Sequence, residues 1–173
     1  MQRLHVLVWQ PRIWLAAHFG WRPRLVIFLA GLFSALSLAP LHIVPALMLG
    51  LWVLFAALDG ARRADKPLRS AFLRGFVFAF GYFLAGMAWV VYAFLTRGEG
   101  LQYAAPFALP ALAALMAVFW GLGAVIYCAL APRSVWRGLV FAAALAFTEW
   151  LRRHVPGGLP WDLTASVVAA GGP

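Results

Sequence analysis

The stretch Leu25-Val-Ile-Phe-Leu-Ala-Gly-Leu-Phe-Ser-Ala-Leu-Ser-Leu-Ala-Pro-Leu-His-Ile-Val-Pro-Ala-Leu-Met-Leu-Gly-Leu-Trp-Val-Leu-Phe-Ala-Ala-Leu58 carries no charged side chain over 34 residues. A helix that crosses a hydrocarbon core of about 30 Å needs about 20 mostly apolar residues. The stretch is therefore too long for one untilted crossing. Pro40 and Pro45 offer a break, because proline cannot continue a helix without losing a backbone hydrogen bond. The reading is two short membrane helices, about 25–39 and 43–58, joined by a tight turn. The fold class that follows is an all-α integral membrane bundle.

The rest of the chain repeats the pattern. Residues 59–74 are polar, with Arg62, Arg63, Lys66, Arg69 and Arg74. Gly75 to Leu95 is uncharged and gives a third span, 75–95. Arg97 and Glu99 mark a short loop, and a fourth span covers 104–131, with Pro106 and Pro110 near its start. A fifth, 134–151, ends on Glu149, Arg152 and Arg153. Pro and Gly then make a loop through Trp161 and Asp162. Leu163 to Ala170 is apolar for too few residues to cross, so 163–173 is read as the truncated opening of a sixth helix. The transmembrane region is thus 25–162, and residues 1–24 form a cytoplasmic or interfacial segment with no cleavable signal peptide.

Composition agrees. Of 173 residues 65% are apolar and 11% charged, where a soluble domain has about a quarter charged. That excludes an ordinary soluble enzyme, a disordered tail and a disulfide scaffold. The net charge of +9 lies between apolar runs, so it reads as topology and not as a nucleic-acid surface. With the N-terminus in the cytoplasm, eleven basic residues face that side (Arg3, Arg12, Arg22, Arg24, Arg62, Arg63, Lys66, Arg69, Arg74, Arg133, Arg137). Only three face the other (Arg97, Arg152, Arg153). This is the positive-inside bias of a multi-pass protein of a cytoplasmic membrane.

Small residues at four-residue spacing let helix backbones approach closely in lipid. Gly31, Ala35 and Ala39 form one such stripe, Ala113, Ala117 and Gly121 another, Ala142 and Ala146 a third. Gly31, Gly81 and Gly86 are the packing candidates.

Chemistry-bearing patterns are scarce. The sequence has no hydrolase elbow, phosphate loop or zinc helix. His5, His18, His42 and His154 lack metal-ligand spacing, so no metal and no cofactor is expected. Cys128, the single cysteine, lies within an apolar run and reads as a small buried hydrophobe. A small transporter would need polar groups at mid-membrane, and the third and fourth spans offer almost none. Glu149 stands out, because an ionised carboxylate within a membrane helix needs a partner or water. Arg152 and Arg153 lie three and four residues on, on the same face. Two readings stand: an ion pair that finishes the helix at the interface, and a polar anchor beside a lipid or protein site.

Three segments carry a family resemblance. Gly31-Leu-Phe-Ser-Ala-Leu-Ser-Leu-Ala-Pro40 resembles the first membrane helix of bacterial apolipoprotein N-acyltransferases. Gly75-Phe-Val-Phe-Ala-Phe-Gly81-Tyr-Phe-Leu-Ala-Gly86-Met-Ala-Trp89-Val is similar to that family's third helix. Thr148-Glu149-Trp150-Leu151-Arg152, followed by Gly158-Leu159-Pro160-Trp161, is similar to its Glu-aromatic-Leu-Arg…Gly-Phe-Pro-Trp segment. Order and spacing match from about residue 25 to 162, and Leu163 to Pro173 departs from the pattern.

The resemblance implies transfer of a fatty acyl chain from a phospholipid to the lipidated N-terminal cysteine of an apolipoprotein, a step in bacterial lipoprotein maturation. It implies a bundle that contacts phospholipid and lipoprotein acyl chains, with Glu149, Trp150, Arg152, Pro160 and Trp161 as the membrane-motif residues. It also implies a separate nitrilase-like domain with a Glu-Lys-Cys triad, in which a thiolate attacks an ester. The chain contains none of that triad: Lys66 is its only lysine and Cys128 its only cysteine. The expectation is a catalytically incomplete membrane fragment with no catalytic residue of its own. The alternative is a stand-alone membrane subunit that binds a separately encoded nitrilase-like partner.

Overall fold

A computed structural model describes residues 20–96, 101–132 and 134–155. Six α-helices make it up: α1 (Trp21–Ser34), α2 (Val44–Ala61), α3 (Pro67–Gly86), α4 (Trp89–Thr96), α5 (Ala105–Leu130) and α6 (Arg137–His154). Short 3₁₀ turns, Ala35–Ser37 and Leu101–Ala104, follow α1 and precede α5. No strand occurs among the described residues. The chain is an all-α membrane bundle, in which α2, α3 and α5 are each long and apolar enough to cross a bilayer alone.

The helix ends follow from local chemistry. Pro40 lies in the turn between α1 and α2, which closes through Ile43 N–H to the Leu36 carbonyl and His42 N–H to the Leu38 carbonyl. His42 adopts φ 50° there, a left-handed conformation that histidine enters more readily than most side chains. Proline occupies the first turn of α2, α3 and α5, where no intrahelical N–H is lost. Pro110 lies inside α5.

The helices depart from the sequence reading at several edges. Residues 59–74 were expected as a loop, yet α2 runs to Ala61 and α3 starts at Pro67. Charge marks where hydrocarbon ends; the backbone goes on hydrogen-bonding to itself beyond that point. Arginine is also a good helix former, and its aliphatic stem can lie along apolar surface. For the same reason α1 takes in Trp21 to Arg24, which the sequence assigned to an interfacial segment. Residues 1–19 lie outside the described residues, as do residues 156–173 with the expected sixth-helix stub. The expected 75–95 run is two helices, because α3 ends at Gly86 and Met87 N–H caps it on the Phe83 carbonyl.

Close backbone approach holds the bundle together. A Cβ placed on Gly31 would fall onto the Phe78 carbonyl oxygen, and one on Gly81 onto that of Phe28. These two glycines therefore set the α1–α3 crossing. A Cβ on Gly75 would fall 2.6 Å from Ala124 Cβ and 2.7 Å from the Trp120 carbonyl oxygen between α3 and α5, and one on Gly123 would fall 2.9 Å from Thr148 Oγ1 between α5 and α6. Gly86 is the last residue of α3. The α6 stripe differs from expectation: Ala142 and Ala146 are exposed, and Phe141, Ala144, Leu145, Thr148, Glu149 and Arg152 face inward. Spacing alone does not say which face of an alanine-rich helix meets its neighbour.

The up-and-down course gathers two distinct ends. The start of α1, the end of α2, the start of α3, the end of α5 and the start of α6 share one end. That end holds Arg22, Arg24, Arg62, Arg63, Lys66, Arg69, Arg74 and Arg137. The opposite end holds the α1–α2 turn, α4 and the end of α6.

Candidate functional site

Helical spacing turns Glu149 and Arg152 to the same side of α6, and that side faces α5. Arg152 Nη2 donates to Glu149 Oε2 at 3.0 Å. The other carboxylate oxygen, Oε1, accepts from the Trp120 indole Nε1 at 2.6 Å. Arg152 is 1% exposed and Glu149 9%. The Arg152 guanidinium lies 4.8 Å from the centroid of the Phe83 ring, with Nη1 3.4 Å from Met116 Sδ. An aromatic box completes the wall: Trp120 stacks on Phe78 at 5.7 Å and on Tyr82 at 5.5 Å, with Phe83 edge-on at 6.1 Å.

Glu149 lies five residues before the end of α6. The pair is buried inside the bundle, where it joins α6 to Trp120 of α5 and Phe83 of α3.

The chemistry of the cluster is that of a fixed dipole. Both carboxylate oxygens are engaged, and its nearest neighbours are a thioether and aromatic rings. Among the described residues no thiol or amine lies in this cluster. Cys128 lies near the basic end, 3.8 Å from the Pro67 carbonyl oxygen. Among the described residues no group of histidine, cysteine and carboxylate side chains could hold a metal ion.

Trp150, another motif residue, points away from this cluster. It is 55% exposed, stacked with Phe147 at 6.0 Å and tilted against the His154 ring at 4.4 Å. Pro160 and Trp161 lie outside the described residues. Sequence reasoning missed Trp120, Phe83 and Met116, because each is one apolar letter in an apolar run. A tryptophan well inside a span is the available signal, since its N–H needs an acceptor when buried.

The basic end has its own cross-links. Arg62 Nη2 donates to the Ala131 carbonyl at 2.6 Å. Arg137 pairs with Asp59 at 3.0 Å and sits 5.0 Å over the Phe55 ring. Arg74, 2% exposed, donates to the Ala57 carbonyl. These contacts tie the ends of α2, α3, α5 and α6 to one another.

Trp120→Phe keeps a ring against Phe78 and Tyr82 but removes the donor to Glu149. A hydrogen bond to a charged group contributes about 1.5–3 kcal/mol. A loss of that size is expected in the unfolding free energy measured in detergent micelles.

The family model for the apolipoprotein N-acyltransferase N-terminal domain matches residues 30–173. This chain belongs to that family. Its match runs through residue 173, so Leu163 to Pro173, expected to depart from the family pattern, falls within it. The apolipoprotein N-acyltransferase of Caulobacter vibrioides is 44% identical over 151 residues, which cover 87% of this chain and 28% of that protein. The apolipoprotein N-acyltransferases of Brucella melitensis and Allorhizobium ampelinum are 38% and 36% identical, each over 83% of this chain and 28% of their own length. The chain therefore spans about 28% of these relatives, the part that corresponds to the N-acyltransferase N-terminal domain. The buried Glu149–Arg152 pair lies within this matched region.

Proposed function

We propose that this chain is the membrane part of an enzyme that moves an acyl chain from a phospholipid to the lipidated N-terminus of an apolipoprotein. The observation that carries the reading is the 44% identity to an apolipoprotein N-acyltransferase over 87% of the chain. The bundle anchors the enzyme and offers apolar helix faces to the acyl chains of phospholipid and lipoprotein. The basic end faces the cytoplasm of a bacterial inner membrane, as its cluster of arginines favours. The end carrying α4 and the exposed Trp89, Tyr92, Tyr103 and Phe107 then faces the lipoprotein substrate.

The transfer step belongs to a nitrilase-like module with the Glu-Lys-Cys triad that the family resemblance implies, supplied in continuation or as a separate protein. Within these 173 residues the thiol is inside α5 and the single lysine, Lys66, is in the turn between α2 and α3. A thiolate needs an accessible setting to be nucleophilic, and Cys128 is half-buried within α5. The purified chain, incubated with phospholipid and a diacylated lipopeptide, is expected to yield no N-acylated product by mass spectrometry. Sustained turnover by the chain alone would overturn the reading.

A further inference from the structure

The face of α1 that carries Trp21, Arg24 and Phe28 meets the face of α3 that carries Phe76 and Phe80 across an open groove of about 420 Å³. Its volume is in the range of about 300–1,000 Å³ typical of small-molecule sites. The α3 side is a continuous aromatic wall. Phe72 stacks on Phe76 at 6.0 Å, Phe76 on Phe80 at 6.2 Å with ring planes 6° apart, and Phe28 closes on Phe80 at 6.2 Å. Helical spacing puts Arg69 on the same face of α3, one turn before Phe72. Arg24 holds the corresponding position on α1 and lines the groove itself. Both arginines are exposed and lie at the basic end. Trp21, 69% exposed, stands at the mouth with the Arg22 guanidinium 5.4 Å from its ring.

We propose that this groove binds one anionic glycerophospholipid of the leaflet at the basic end. An acyl chain lies along the Phe72–Phe76–Phe80 wall, and the phosphate is held between Arg24 and Arg69. Charge complementarity selects this occupant. The groove's floor is apolar, with Arg24 and Arg69 at its rim; of the two acids at this end, Asp59 is engaged by Arg137 and Asp65 is exposed in the α2–α3 turn. Basic residues beside a membrane surface attract anionic headgroups. The site is at the opposite end from α4 and involves no residue of the Glu149 cluster. It therefore does not depend on which lipid donates the acyl chain in the proposed reaction.

The test places a photoreactive benzoylphenylalanine at Val77, which lines the groove, in the full chain. The protein is held in nanodiscs containing phosphatidylglycerol and phosphatidylcholine in equal amounts. The expected result is a cross-link to phosphatidylglycerol at least about fivefold over phosphatidylcholine, falling to parity in the Arg24→Gln/Arg69→Gln variant. Native mass spectrometry of the unsubstituted chain should show the same preference, so the test stands even if the variant folds poorly. Equal capture of both lipids would overturn the proposal. So would a cross-link to residues 1–19 or to a second copy of the chain.

Discussion

Replacing Arg152 with alanine is expected to destabilise the bundle by about 3–5 kcal/mol, the loss seen when one member of a buried ion pair is removed. Glu149→Ala should cost a similar amount. Each change leaves one charge without its ion-pair partner among Trp120, Phe83 and Met116. The pair itself is a different matter. Two charges taken out of solvent lose most of what their attraction returns, so replacing both with apolar groups of like size is often neutral or stabilising. Glu149→Leu combined with Arg152→Met should therefore recover most of the single-variant loss. Unfolding in detergent micelles measures all three. A double variant as unstable as either single one would contradict the charge-pair account and point to shape alone.

Gly31→Leu and Gly81→Leu form the second large effect. At both positions the new Cβ meets a carbonyl oxygen of the neighbouring helix, not the tip of a flexible side chain. Backbone cannot step aside, so α1 and α3 must separate along their whole crossing. Overpacking costs about 1–3 kcal/mol where side chains can adjust. The full loss at these sites is expected to exceed that range and to appear as aggregated protein in size-exclusion chromatography. Gly138, on α6, has nothing within 4 Å of its would-be Cβ. Gly138→Ala should stay within about 0.5 kcal/mol of the parent, as surface substitutions do. Loss of folded protein in Gly138→Ala as well would show that the effect is general and not a matter of the crossing.

The contrast between these sites shows what the residues alone disclose. The all-α membrane architecture was legible because 34 uncharged residues leave few other folds open, and α2 and α5 lie within a few residues of the expected spans. The starts of α1 and α3 were not legible. Arg22 and Arg24 read as part of an interfacial segment and Arg69 and Arg74 as a polar loop, whereas long basic side chains ride on helices that continue past the hydrocarbon. The break at Met87 was hidden because Gly75 to Leu95 contains no polar residue to signal it. In the site, Glu149 and Arg152 were visible as charges out of place. Trp120 was not, because a pairing across two helices depends on which faces meet. Ala142 and Ala146 failed for the same reason: the four-residue spacing was real, but that face looks outward.

The most direct test joins this chain to the remaining length of the Caulobacter vibrioides relative, in place of that protein's matching 28%. The chimera is then assayed for N-acylation of a diacylated lipopeptide from phospholipid. Membrane-inserted chimera that forms the N-acylated product is expected, while the chain alone forms none. A chimera that inserts and folds yet gives no product would contradict the claim that this bundle is a working membrane domain of the N-acyltransferase family.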